Sequence, residues 1–105
     1  MTTIQTIIIT IAHNDEQTRN SVHRAIDQRV LKTIATRNAA NCGVDGIAEA
    51  LEYVHAKRRA YYRNLDKAVE RVAFLTGIAK DEAMATLVEY IEECATDALI
   101  DSVTL

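Results

Sequence analysis

The chain has 105 residues, a formal net charge of -3, two cysteines, three glycines and no proline. That length makes one domain with a core of modest size, and the acidic balance argues against a domain built mainly to bind phosphate, which is strongly basic, while leaving a local basic patch open. Cys42 and Cys94 make neither a metal-ligand spacing nor a disulfide framework, so the chain is expected to be reduced and cytoplasmic, or in the host cytoplasm if viral.

The N-terminal run "TTIQTIIITIA" carries two signals at once. Nearly every residue is β-branched, which favours a strand, while Ile4, Ile7, Ile8 and Ile11 follow helical spacing. No Lys or Arg precedes the run and no small-residue cleavage pattern follows it, so it is not expected to be a secretory leader. It is also too short to cross a bilayer, and no membrane partner is expected. Residues 13–21, "HNDEQTRNS", are polar in succession, and Asn14 with Gln17 matches a capping box. The favoured reading is a break near Asn14 that leaves residues 1–13 as an N-terminal arm. As a lone strand the arm needs a partner, most simply its copy in a homodimer. Alternatively, Thr2 and Gln5 cap one long helix that runs through to Ala39.

Abundant Ala, Leu, Glu, Lys and Arg and the lack of proline predict helices with few breaks. The glycines cluster at two places, Gly43 with Gly46 and Gly77 alone. Asn41 or Gly43 is expected to end one helix and Asp45 to cap the next. Gly77 followed by Ile78 reads as a C-terminal cap with its hydrophobic contact, and Asp81 and Glu82 place negative charge in the following first turn. These signals predict helices over residues 15–39, 46–76 and 80–103 of the chain. The expected fold is all-α: a three-helix antiparallel bundle or coiled-coil-like hairpin (46–103), with the N-terminal arm as strand or helix extension.

In the middle helix Ile47, Leu51, Val54, Arg58, Tyr61, Leu65, Ala68, Val72 and Leu75 alternate steps of four and three, a heptad seam broken only by Arg58. The last helix offers a wider stripe through Met84, Leu87, Val88, Ile91, Cys94, Ala95, Ala98 and Leu99, and the first a weaker one through Val22, Ala25, Ile26, Val30 and Ile34. Across the middle helix His55, Arg59, Arg63, Lys67 and Arg71 recur every four residues, a like-charged ridge that something should compensate. Glu89, Glu93, Asp97 and Asp101 recur at the same spacing. If the two helices fold back about Ile78, residues whose numbers sum to 156 stand at equal height, which pairs Arg59 with Asp97, Arg63 with Glu93 and Lys67 with Glu89. Neutralisation within the chain or between subunits is the expected outcome, ahead of an acidic protein partner or nucleic acid. Such a ridge turns by about 40° per step, so only some of the pairs can meet, and with the apolar seam facing inward Arg63 and Lys67 lie near the solvent side. Exposed pairs contribute about 0–1 kcal/mol each.

Arg58 stands out, because a guanidinium on an apolar seam is costly to desolvate unless a carboxylate or a partner meets it. The favoured reading is that its stem packs along the seam while its head reaches an internal acid or water, and the alternative is an interface anchor. With Tyr61 and Tyr62 beside it, and Arg59 and Arg63 following, it forms the candidate partner-binding set, since Tyr and Arg are enriched at binding hot spots. Phe74 lies away from the seam and is expected to be covered by the first helix or a second subunit. The leading expectation is a non-enzymatic regulator or inhibitor that binds a protein partner, as a homodimer. Nucleic-acid binding through Arg59, Arg63 and Lys67 is the second reading.

Enzymatic signals are few. Glu52 and His55 in "EYVH" have the i, i+3 spacing of a bundle di-metal ligand pair, but no second such pair occurs. Glu49 and Glu52, with "EYIEECATDALID", resemble elements of the MazG-like helical nucleotide pyrophosphohydrolases. That resemblance implies carboxylates on two helices holding Mg²⁺ against a triphosphate. The second element here runs from Glu93 to Asp97, one residue too long, which turns one carboxylate about 100° off the shared face. No Ser-His-Asp or Cys-His set and no phosphate loop is present, so no catalytic residue, metal ligand or cofactor is assigned. His13 and His23 are expected at the surface.

Overall fold

The computed structural model describes residues 2–41, 43 and 46–104, with side chains through Asp101. It contains four helices: α1 (Thr3–Asn14), α2 (Glu16–Ala40), α3 (Ile47–Thr76) and α4 (Lys80–Thr104). No strand occurs among the described residues.

The N-terminal arm is therefore a helix, not a strand, and the break beside Asn14 makes it separate from α2. Thr2 Oγ1 accepts from the Gln5 N–H at 3.2 Å while Gln5 Oε1 accepts from the Thr2 N–H at 2.9 Å, which closes the capping box. β-Branched residues cost only tenths of a kcal/mol each in a helix. Burial of Ile8 and Ala12 in the core outweighs that cost. Asp15, rather than Asn14, joins α1 to α2. Its N–H donates to the Ile11 carbonyl at 2.9 Å, and its carboxylate accepts from the Thr18 N–H at 3.0 Å and the Thr18 hydroxyl at 2.7 Å. One residue thus ends one helix and starts the next.

The remaining boundaries fall within a residue of those predicted. Asn41 ends α2. Gly77 ends α3 at φ 74°, its N–H donating to the Ala73 carbonyl at 2.8 Å, and Ile78 turns inward against the core. Only a residue without Cβ takes that conformation freely. Asp45, the expected cap of α3, lies outside the described residues, as does Cys42. Gly46 holds the cap position without a side-chain bond.

α2 and α3 form a long antiparallel hairpin, the lower layer of a two-layer slab. α4 packs along both of them, and α1 lies beside α4 over α2. The core joins all four helices near the α1 end: Ile8 from α1, Val22 and Ala25 from α2, Leu65 and Val72 from α3, Leu87 and Ile91 from α4. The rest of the hairpin projects beyond it. Accordingly the radius of gyration is 15.5 Å and the extents are 49 × 28 × 21 Å, against a radius of about 13 Å for a compact domain of this length. The accessible surface is 6739 Å², where about 5,900 Å² is usual for this mass.

Candidate interaction surface

The heptad seam of α3 passes from core to solvent along its length. Tyr61, Leu65, Ala68 and Val72 are buried. Ile47 and Leu51 remain 44% and 46% exposed and Val54 is half-buried. Arg58 is exposed, so its head is met by water and no desolvated charge occurs. The four-helix core ends at Tyr61, and Arg58 stands just past its edge. Its guanidinium lies over the Tyr62 ring at 5.8 Å, and Tyr62 meets Tyr61 edge to face at 5.2 Å. Burial pushes the Tyr61 hydroxyl up from its ordinary pKa, with the charge of Glu92 adding to the effect. Arg29 closes this corner: its Nε donates to Glu92 Oε1 at 2.8 Å, and it also donates to the Thr33 hydroxyl. Arg58, Tyr61 and Tyr62 therefore do come together, whereas Arg59 and Arg63 are exposed and turned about 100° and 140° from Arg58 around α3.

The expected neutralisation of the basic ridge by α4 does not form. Arg59, Arg63 and Lys67 are exposed and make no ion pair with Asp97, Glu93 or Glu89. The heights match, but each ridge points away from the contact between α3 and α4. Arg71, the last member of the basic ridge, pairs instead with Asp15, through Nε to Oδ2 at 3.2 Å and Nη2 to Oδ1 at 3.3 Å. The hydrogen bond from Arg71, followed by those from Thr18, lowers the Asp15 pKa from 3.8 to about 2. Sequence reasoning missed both ion pairs, Arg29–Glu92 and Arg71–Asp15. The second had a local signal, since Asp15 sits in the polar break.

Phe74 is 79% exposed, so α2, the first of the predicted helices and the one expected to cover it, leaves it in solvent. The Arg71 guanidinium lies over its ring at 5.7 Å. Together they border an open groove of about 600 Å³ between α2 and α3, which Gln17, Asn20, Arg24, Lys67 and Glu70 also line. Further along the same outer face of the hairpin, Leu31, Ile34, Ala50 and Tyr53 line an apolar hollow of about 310 Å³.

The residues of the metal readings stay apart. Glu52 and His55 share only a shallow hollow with Ala56 and Arg59. Glu93 and Asp97 lie on the outer side of α4. Among the described residues no group of three or more His, Cys, Asp or Glu side chains is placed to hold a metal. His13 is exposed, as expected, and its Nε2 lies 3.2 Å from the Tyr90 hydroxyl with the rings edge to face. Cys94 is half-buried and unbridged.

Among the described residues no helix is long and apolar enough to cross a membrane. Comparison with protein-family models, curated proteins and solved structures returned no match.

Proposed function

We propose that this chain is a non-catalytic helical protein of the cytoplasm that acts as a regulator or inhibitor by binding another protein. The observation that carries the reading is the bare end of the α3 seam. A pattern that builds a core from Tyr61 to Val72 continues through Val54, which is only partly covered, to Leu51 and Ile47, which are nearly half in water. Beside it, Arg58 stacks on the exposed Tyr62 ring. Apolar side chains next to a Tyr and an Arg have the composition of an interface centre, where a few such anchors hold most of the affinity. The expected homodimer loses its first support, because Ile8 and Ala12 of α1 face the core of their own chain.

The test is affinity capture from lysate of the native cell, followed by titration of the captured protein against variants. Leu51→Ala and Arg58→Ala should each weaken binding by about 2 kcal/mol. Arg59→Gln with Arg63→Gln, turned about 100° and 140° from Arg58 around α3, should leave it intact. Equal binding by Leu51→Ala, Arg58→Ala and the native chain would remove this surface from consideration.

A further inference from the structure

Charge in this protein is sorted by layer. Eleven of the twelve Lys and Arg residues lie on α2 and α3 against six Asp and Glu, a net of +5; α4 holds seven acids against Lys80, a net of -6. α1 carries no Asp, Glu, Lys or Arg.

The two ridges face outward on opposite sides of the slab. At about 100° per residue, Arg63 points about 175° away from the mean direction of the buried α3 residues, and Glu89 about 160° away from that of the buried α4 residues. Arg59 and Lys67 follow Arg63, and Glu93 and Asp97 follow Glu89, all exposed and without ion pairs among the described residues. Their heights nevertheless agree, because α3 and α4 fold back about Ile78. Two layers of helix stand between them, so they cannot meet within one chain. A second copy displaced along the slab's 21 Å axis meets no such obstacle. Its α4 comes to lie over the first copy's hairpin with every height unchanged, Glu93 facing Arg63 and Asp97 facing Arg59.

We propose that the protein associates with itself head to tail, the acidic outer side of α4 in one copy docking on the basic outer side of the α2–α3 hairpin in the next. A two-fold dimer would place like faces together, +5 on +5 or -6 on -6, whereas the translated arrangement places unlike faces together. Each docked copy leaves one face of each kind free, so the assembly grows past two chains. Phosphate is a poorer occupant of the hairpin, since Glu70 lines the groove beside Lys67. This inference stands apart from the partner surface at Leu51 and Arg58.

Sedimentation velocity from micromolar to millimolar concentration tests it. At low salt the average mass should rise past twice 11.7 kDa without a plateau, and half-molar sodium chloride should return it to a single chain, because exposed charges are screened. Two neutralised variants supply the sharper result: Arg59→Gln with Arg63→Gln, and Glu93→Gln with Asp97→Asn. All four positions are exposed, and far-ultraviolet circular dichroism checks that the helices persist. Each variant alone should associate at least tenfold more weakly than the native chain. Mixed in equal amounts they should form a dimer and nothing larger, because only one compatible pair of faces remains. A native chain that stays single throughout, a native mass that stops at two chains, variants that associate like the native chain, or a mixture that stays monomeric would each overturn the proposal. So would a monomeric native chain that retards single-stranded RNA in a salt-sensitive way lost in Arg59→Gln/Arg63→Gln, which assigns the hairpin to nucleic acid.

Discussion

Ile8→Ala tests whether α1 is part of the core or an appendage. Ile8 is fully buried, in the cluster that contains Val22, Leu65 and Leu87. Removing its branched end deletes apolar surface and leaves a cavity that the surrounding helices fill only in part, which costs about 2–5 kcal/mol at such sites. A figure near 3 kcal/mol is a large part of the about 5–15 kcal/mol that holds a domain together. It should lower the melting temperature by about 12 °C or more. The assay is urea unfolding followed by circular dichroism, where the midpoint should fall while the slope stays the same. Ile4→Ala is the matched control. Ile4 lies on the same helix but is 41% exposed, so its truncation should cost less than about 1 kcal/mol. If both variants lose the same amount, or Ile8→Ala loses less than about 1 kcal/mol, α1 is not docked as described. Deleting residues 2–12 should for the same reason destabilise the chain rather than merely change its assembly.

Three further outcomes follow from single residues. Asp15 titrates at about 2 instead of 3.8, so the stability it contributes is complete above pH 3.8 and is lost as pH falls toward 2; acid unfolding of Asp15→Asn should be flatter across that window, and parallel profiles would refute the Arg71 pairing. Gly77→Ala meets no atom within 4 Å but must adopt φ +74°, so a loss of about 1–2 kcal/mol in chemical denaturation is expected, and no loss would place the cap elsewhere. Phe74→Ser removes a ring that is already solvated, so its thermal midpoint should correspond to a change within about 0.5 kcal/mol; a larger loss would mean that a second chain covers the ring.

Helix ends were legible because their causes are local. Gly77, Asp81 and the polar run before Thr18 act within a turn, and no distant contact is needed to place them. The N-terminal segment was ambiguous for the opposite reason. Its β-branched residues and its Thr2–Gln5 box disagree, and the decision comes from Ile8 and Ala12 finding a core built by residues far along the chain. The height of Arg63 against Glu93 was also readable, since it depends only on where the chain turns back. Their direction was readable in part, because taking the apolar seam of α3 as inward puts Arg63 and Lys67 near the solvent side, whereas the face that α4 turns to the hairpin depends on how α1 and α2 pack. Arg58 shows the same limit, because a seam position is buried only where a neighbouring helix is long enough to cover it.

Net charge has a similar blind spot, with consequences for how the acidic composition is read. A total of -3 combines a hairpin at +5, α4 at -6 and the two junction residues Asp15 and Asp45. Composition alone therefore does not exclude a phosphate-binding face, because the hairpin by itself is basic. What counts against phosphate is finer: Asp66 and Glu70 are exposed among Arg63, Lys67 and Arg71, and the carboxylate of Asp15 already holds Arg71. A polyanion following this ridge would meet a negative charge about every turn, whereas separate carboxylates at four-residue spacing need only find Arg59, Arg63 and Lys67 one at a time. The outer side of α4 carries carboxylates at that spacing.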